Sequence, residues 1–256
     1  MLFDSIVYGP IHSRRLGVSL GMNLMPTDVK VRTFDCIYCE CGFNQTVLHP
    51  TLPTREQVRE ELEQTLLSCS SAPLPPIDVI TFSGNGEPTL HPDLLGIIED
   101  TCVLRDRYCP QAKVSVLSNS TQLGRAEVVQ ALRLCDNRIL KLDSAIDTTM
   151  QLIDAPVKKD LTVAEIVNKL KVFNGDFTLQ TCFLRGKVGD VAVDNTTEEE
   201  LAAWYKVVKQ LKPKQIMIYV IDRATPVRTL EKISKEQMET IAEPLRKEGF
   251  DVIVCA

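Results

Sequence analysis

Three cysteines stand close together near the start of the chain, and this cluster is the part of the sequence that most clearly indicates chemistry. Cys36, Cys39 and Cys41 occupy the segment Cys-Ile-Tyr-Cys-Glu-Cys. A short loop can turn several sulfur atoms toward one point, and thiolates at this density select zinc or an iron–sulfur cluster. The cluster therefore predicts a metal centre rather than three unrelated packing cysteines.

The number of available ligands separates zinc from iron. A structural zinc site usually has four ligands and no open position. The chain has no downstream Cys-x-x-Cys, and the histidine nearest to the cluster is His49. A site with three thiolates and one open iron could instead bind a ligand that is then reduced. The residues alone leave both options open.

Short apolar runs alternate with amphipathic stretches along the chain, and these elements must position the cysteines. The apolar runs are rich in Val, Ile and Leu, as buried strands are, and the amphipathic stretches have the apolar spacing of helices. The predicted strands are residues 18–24, 77–82, 113–117, 138–142, 178–183 and 215–221. The predicted helices are residues 54–67, 92–105, 125–134, 162–173, 197–211 and 234–248, followed by an apolar run at 252–254.

This alternation predicts an α/β fold with a parallel sheet that is buried on both faces. Two architectures satisfy it, a doubly wound open sheet and a full or partial βα barrel. We expect one domain over residues 1–256, since barrels of this kind reach about 200–250 residues as a single unit. In both architectures, functional residues follow the carboxyl ends of the strands.

Polar residues do follow these strand ends. Glycines after the second predicted strand allow positive φ and close backbone approach to a ligand, and Glu87 adds a carboxylate there. The candidate residues at strand ends are Ser83, Gly84, Asn85, Gly86, Glu87, Ser118, Asn119, Lys141, Asp143 and Ser144, with Gln180 on the fifth strand.

Composition excludes several classes of protein. The chain has 29 Lys and Arg against 34 Asp and Glu, a formal net charge of −5, so no broad nucleic-acid surface is indicated. No apolar run reaches the roughly 20 residues that span a bilayer. The first residues, Met-Leu-Phe-Asp-Ser-Ile, have an acid in place of the basic region of a signal peptide and no long apolar run. We therefore expect a cytoplasmic protein with no membrane partner.

Four stretches resemble the radical S-adenosylmethionine (radical SAM) superfamily, in the branch of Fe–S oxidoreductases related to wyosine-type tRNA-modification enzymes. They are residues 9–21, 34–39, 82–89 and 222–227. Together they are spread over most of the length of the chain, in the order in which that branch has them. The resemblance implies a partial (β/α)6 TIM-like barrel that holds a 4Fe–4S cluster through three cysteines and binds S-adenosylmethionine at the open iron.

The resemblance also implies roles for individual residues. The turn Gly84-Asn85-Gly86-Glu87 would meet the amino group of the methionine part of S-adenosylmethionine, and Tyr38 would lie near the adenine. Ser118 and Asn119 would face the methionine carboxylate or the ribose. The remaining candidates for this cofactor are Ser83, Lys141, Asp143 and Gln180, with Cys36, Cys39 and Cys41 as candidate metal ligands.

Residue 32 departs from the family pattern Cys-x-x-x-Cys-x-x-Cys. Cys36 and Cys39 match its second and third positions, whereas the first is Arg32. A guanidinium stays protonated and cannot ligate iron. Arg32 is an engineered or accidental replacement, or marks a natural variant that has lost its cluster, or is compensated by Cys41 as third thiolate. The first explanation is favoured because the sequence around residue 32 still fits the pattern.

The function implied is reductive cleavage of S-adenosylmethionine to a 5′-deoxyadenosyl radical that abstracts hydrogen from a substrate. The substrate is unidentified (small molecule, protein or tRNA), and the reaction needs an electron donor. We expect this activity to be impaired by Arg32. The alternatives are a non-redox zinc-binding module and a module that binds S-adenosylmethionine without a cluster.

Overall fold

The computed structural model describes residues 2–44, 50–71 and 75–256. His49, considered above as a zinc ligand, lies outside the described residues. The chain divides into two compact units. The first unit comprises Met1–Arg32, Asn44–Ser118 and Gln122–Arg138, and the second comprises Thr33–Phe43, Asn119–Thr121 and Ile139–Ala256. One domain over residues 1–256 stays a prediction.

In its described part, the first unit is a sheet covered by helices. Its strands are β1 (Val7–Ser13), β2 (Gly17–Met22), β3 (Val79–Phe82) and β4 (Lys113–Ser118), in the order β1-β2-β3-β4. β1 is antiparallel to β2, and the other two pairings are parallel. Its helices are α1 (Arg55–Ser71), α2 (Leu94–Tyr108) and α3 (Ala126–Leu134).

Burial explains why these segments form a parallel sheet. All four residues of β3 are buried, as expected for a strand covered on both faces. Leu62, Ile98 and Val128, one from each helix, are essentially inaccessible to solvent. The core of the first unit therefore lies between these helices and the sheet, and the polar residues after β3 lie at one end of it.

The second unit holds the remaining elements. Its strands are β5 (Asn137–Lys141), which begins in the last residues of the first unit, β6 (Thr178–Val188), β7 (Val191–Asp194), β8 (Gln215–Val220), β9 (Glu231–Lys232) and β10 (Val252–Cys255). Its helices are α4 (Asp147–Asp154), α5 (Val163–Leu170), α6 (Glu198–Leu211) and α7 (Lys235–Lys247). The parallel order is β5-β6-β8-β10.

Strand β6 takes part in two kinds of pairing. Its first six residues pair in parallel with β8. Beyond them the strand continues to Val188 and pairs in antiparallel fashion with β7 on one side and β9 on the other. The sequence predicted only residues 178–183 of this strand, since the residues beyond Leu184 are partly exposed and include Arg185 and Lys187.

The other predicted elements occur within a few residues of their expected bounds. Four elements were missed: β1, α4, β7 and β9. β1 contains the Gly9–Pro10 dipeptide and an irregular register, and such residues usually punctuate strands. Among the described residues, none of the helices has the length and apolar character required to cross a membrane.

Candidate functional site

The glycine-rich turn after β3 can be formed only by glycine at two positions. Gly84 has φ of +127°, and a Cβ there would lie 2.7 Å from Oδ1 of Asn23. A Cβ on Gly86 would lie 2.2 Å from the carbonyl oxygen of Val31. Val31 and Gly86 form an isolated parallel bridge. The segment before residue 32 is therefore held against the turn by backbone contact.

Much of the side-chain chemistry predicted for this turn is used by the protein itself. Asn85 is fully buried, and its Nδ2 donates to the carbonyl oxygens of Phe3 at 2.7 Å and Pro26 at 2.9 Å. Glu87 accepts hydrogen bonds from the backbone and hydroxyl of Thr89. These side chains stabilise the turn, so a ligand would meet mainly its backbone groups.

Arg32 binds one of those backbone groups. Its Nη2 donates a 2.8 Å hydrogen bond to the carbonyl oxygen of Gly84. Ser83, one residue earlier, shares a 2.7 Å hydrogen bond with the hydroxyl of Tyr8. The residue at the first position of the cysteine pattern is thus a fixed cation on the predicted cofactor turn.

The turn gives a direct stability prediction. We expect Gly86→Ala to lower the free energy of unfolding by about 1–3 kcal/mol, because the new methyl must displace the Val31 backbone. Gly124→Ala is the matched control, since no atom lies within 4 Å of a Cβ at that position. Urea unfolding measures both. Equal stability of the two variants would show that the close approach at Gly86 is wrong.

Five side chains of the second unit form one buried network. Nζ of Lys141 lies 2.8 Å from Sγ of Cys36 and 3.0 Å from Oδ2 of Asp143. It also pairs with Asp154. The hydroxyl of Tyr38 donates to Asp143, and the Tyr38 ring lies 4.9 Å from the Lys141 ammonium. Four of these five residues were candidates from the sequence.

Burial dominates the electrostatics of this network. It raises the pKa of the Cys36 thiol to about 12, although Lys141 acts in the opposite direction. Burial likewise raises the pKa of Asp154 to about 7, again against Lys141. Burial would lower the pKa of Lys141, but Asp143 and Asp154 outweigh it and raise that pKa. The two aspartates thus favour the charged form of Lys141, and burial disfavours the thiolate form of Cys36.

Backbone contacts fix the cysteine loop in place. The amide of Asp35 donates to the carbonyl oxygen of Asp154 at 2.9 Å, and that of Ile37 donates to Ile153 at 3.0 Å. The loop thus runs along the end of α4. Ile37 also belongs to an apolar cluster with Leu184 and other buried residues. This packing orients Cys36 toward the Lys141 network.

The remaining candidates are distributed around this network or away from it. Cys39 is buried and Cys41 is half-buried. Asn119 donates to the hydroxyl of Thr33 at 2.8 Å. Gln180 is buried beside Lys141 in register, and its Nε2 lies 3.8 Å from Sδ of Met217. Ser118 is buried at the end of β4, and Ser144 donates to Glu200 of α6 at 2.7 Å.

The donors present do not fit a cluster held by three thiolates. Residue 32 is Arg, whose guanidinium stays protonated and cannot ligate iron, so the pattern Cys-x-x-x-Cys-x-x-Cys supplies only Cys36 and Cys39. Among the described residues, no three Cys, His, Asp or Glu side chains converge as a metal site. Ligation of a metal by Cys36, Cys39 and Cys41 stays a prediction.

Sequence reasoning missed Asp154 and the residues that hold Asp143. Oδ1 of Asp143 accepts from the amide of Cys182 at 2.9 Å, and Asn195 donates to its carbonyl oxygen. Tyr219 donates to the Tyr38 hydroxyl at 3.2 Å. Asp154 carried no signal in the sequence, because α4, which it ends, was not predicted and its partner Lys141 lies on another element.

The curated proteins similar to this chain include GTPase Obg and UPF0026 proteins. No protein-family model matches it. GTPase Obg of Brachyspira hyodysenteriae is 32% identical over 240 residues, which is 91% of this chain but only 32% of that protein. A UPF0026 protein of Helicobacter pylori is 28% identical over 236 residues, 91% of this chain and 71% of that protein. The chain thus spans about a third of the length of the first relative.

Solved structures with a similar fold include a radical SAM methyltransferase and a protein bound to S-adenosylmethionine. A radical SAM methyltransferase from Sphaerobacter thermophilus has a TM-score of 0.65 at 12% identity, over 92% of this chain and 65% of that one. TYW1 with a lysine-pyruvate adduct has a TM-score of 0.63 at 15% identity, over 91% and 75%. Streptococcus suis SuiB bound to S-adenosylmethionine has a TM-score of 0.60 at 12% identity, over 90% and 51%. The chain therefore has the α/β fold of the radical SAM methyltransferase, which confirms the partial (β/α)6 TIM-like barrel that the family resemblance implied.

Proposed function

We propose that this chain is a radical SAM-type protein that binds S-adenosylmethionine and that, with Arg at position 32, does not cleave it. The observation that carries the proposal is the hydrogen bond from Arg32 to the Gly84 carbonyl oxygen. Arg32 stands at the first position of the cysteine pattern, this hydrogen bond holds its guanidinium on the turn, and a guanidinium cannot ligate iron. Radical formation, which the resemblance implies for the family, requires a set of donors that this form lacks.

Several groups of the chain suit S-adenosylmethionine. A ligand at the Gly84–Glu87 turn would meet mainly backbone groups, since the side chains of Asn85 and Glu87 bond within the protein. Tyr38 offers an aromatic face on which an adenine could stack. Its hydroxyl is held by Asp143, so the ring has a fixed orientation. SuiB, whose structure holds S-adenosylmethionine, has the same fold, which supports the proposal.

The proposal is tested by calorimetry with S-adenosylmethionine on metal-stripped protein. We expect saturable, stoichiometric binding that Tyr38→Ala weakens by about tenfold, because stacking of a base on an aromatic ring contributes about 1–3 kcal/mol. Tyr38→Phe is the matched control and should bind nearly as tightly, since it keeps the ring.

The second arm measures 5′-deoxyadenosine after anaerobic incubation with iron, sulfide and a strong reductant. We expect the Arg32 form to release no more than the protein-free blank. Absence of calorimetric binding would refute the binding half of the proposal. Production of 5′-deoxyadenosine by the Arg32 form would refute the other half and would point to Cys41 as the third ligand.

A further inference from the structure

A small antiparallel sheet in the second unit has one apolar face and one charged face. It consists of β7, the carboxyl-terminal half of β6, and β9. Leu184 and Val193 belong to the buried apolar cluster. Because side chains alternate along a strand, the neighbouring residues Arg185 and Asp194 point to the opposite face. Arg185 lies in register with Asp194 on one side and Glu231 on the other.

That charged face lines a cavity of about 660 Å³. Its cations are Arg185 and Lys187 on β6 and Arg228 in the loop before β9. Its carboxylates are Asp194 and Glu231. A volume of this size is in the range of small-molecule sites, about 300–1,000 Å³. We call it the β6–β9 cavity.

The charges of the β6–β9 cavity are unequally satisfied. Asp194 accepts from both the amide and the hydroxyl of Thr196, at 2.8 and 2.6 Å. Its second oxygen is 3.8 Å from Nε of Arg185, and that buried Nε has no hydrogen-bond partner. Within the described residues, Lys187 and Arg228 make no ion pair. Arg185 also donates from Nη2 to the hydroxyl of Thr196 at 3.3 Å, and the three cations of the cavity outnumber its two carboxylates.

We propose that the β6–β9 cavity binds a small molecule through a phosphate group, held by Arg185, Arg228 and Lys187. A phosphate has several acceptor oxygens and takes hydrogen bonds from more than one cation, and the planar fork of Arg matches it. A local excess of cations is notable on a chain whose formal net charge is −5. This site is independent of the proposed S-adenosylmethionine site.

Titration calorimetry with inorganic pyrophosphate at low salt tests the proposal on the full chain. We expect saturable binding that Arg228→Gln weakens by about tenfold, since a charge-assisted hydrogen bond is worth about 1.4 kcal/mol or more. Arg228 is exposed, so this change leaves folding intact. Arg185→Gln should weaken binding at least as much, and Glu231→Gln should strengthen it because it removes a like charge from the cavity.

Lys247→Gln is the matched control, because Lys247 is an exposed cation on α7 that pairs with Glu243. It should leave pyrophosphate affinity unchanged. Absence of saturable binding, or equal losses in Lys247→Gln and Arg228→Gln, would overturn the proposal. Binding of tRNA without binding of pyrophosphate would also overturn it, in favour of a surface that reads a nucleic-acid backbone. Retained affinity for S-adenosylmethionine in Arg228→Gln would confirm that the two sites are separate.

Discussion

Arg32→Cys is expected to bind iron where the Arg32 form does not. Anaerobic reconstitution with iron and sulfide should give a brown protein with about four irons per chain and broad visible absorbance. The physical reason is the donor count, because the change completes the pattern of residues 32, 36 and 39 with a third thiolate. It also removes the guanidinium that binds the Gly84 carbonyl oxygen. Iron and sulfide assays measure the gain.

Two controls separate the new thiolate from the loss of the guanidinium. Arg32→Ser removes the cation without supplying a ligand and should remain colourless. Arg32→Cys with Cys36→Ser should also lose the iron, since it returns the pattern to two thiolates. If Arg32→Cys takes up no more iron than Arg32→Ser, residue 32 is not a cluster position and the assignment of the cysteine pattern is wrong.

Lys141→Met is expected to lower the free energy of unfolding by about 3–5 kcal/mol. The change leaves Asp143 and Asp154 buried without their cation, and breaking a buried ion pair from one side has a cost of this size. For a chain of this length the melting temperature should fall by about 10 °C. Methionine keeps most of the volume of the lysine side chain, so packing changes little.

Lys158→Met is the matched control for that experiment. Lys158 pairs with Glu165 at 2.9 Å, but both side chains are about half exposed, so its loss should cost less than about 1 kcal/mol. Adding Asp154→Asn to Lys141→Met should recover part of the stability, because it removes one of the two buried acidic groups that lose their cation. Equal stability of Lys141→Met and the unchanged protein would rule out the buried network as a stabilising element.

The parts of the fold that follow from local pattern were predictable. The strand at Val79–Phe82 is a continuous buried run. Thr197 and Glu200 have the Thr-x-x-Glu spacing of a capping box, and Thr197 is the N-cap of α6, where its side chain accepts from the amide of Glu200. In a capping box the Glu side chain also accepts from the amide of the N-cap residue. Here the Glu200 carboxylate accepts instead from the hydroxyl of the distant Ser144, and local spacing does not predict that contact. α4 is only eight residues long, so its sequence has little length over which a helical period can be recognised.

In the candidate site, too, the sequence identified some functional residues and missed others. The glycines of the turn and the polar residues Lys141 and Asp143 at a strand end were found from their positions in the alternation. Asp154 was missed because its partner lies on another element, and such a pairing leaves no spacing to read. The use of Asn85 to bind Phe3 and Pro26 was also invisible, since an amide that stabilises a loop and one that binds a ligand look alike in sequence.

Strand β6 makes the chain unusually intolerant of changes in length at one place. Adding or deleting a single residue near Phe183 would reverse the alternation for everything that follows. Leu184 would turn outward and Arg185 inward, on a ribbon flanked by neighbours on both edges. Substitutions along this strand can be absorbed one side chain at a time, whereas an indel there cannot. Lineages that diversify this protein should therefore vary its length at the reverse turn around Gly189.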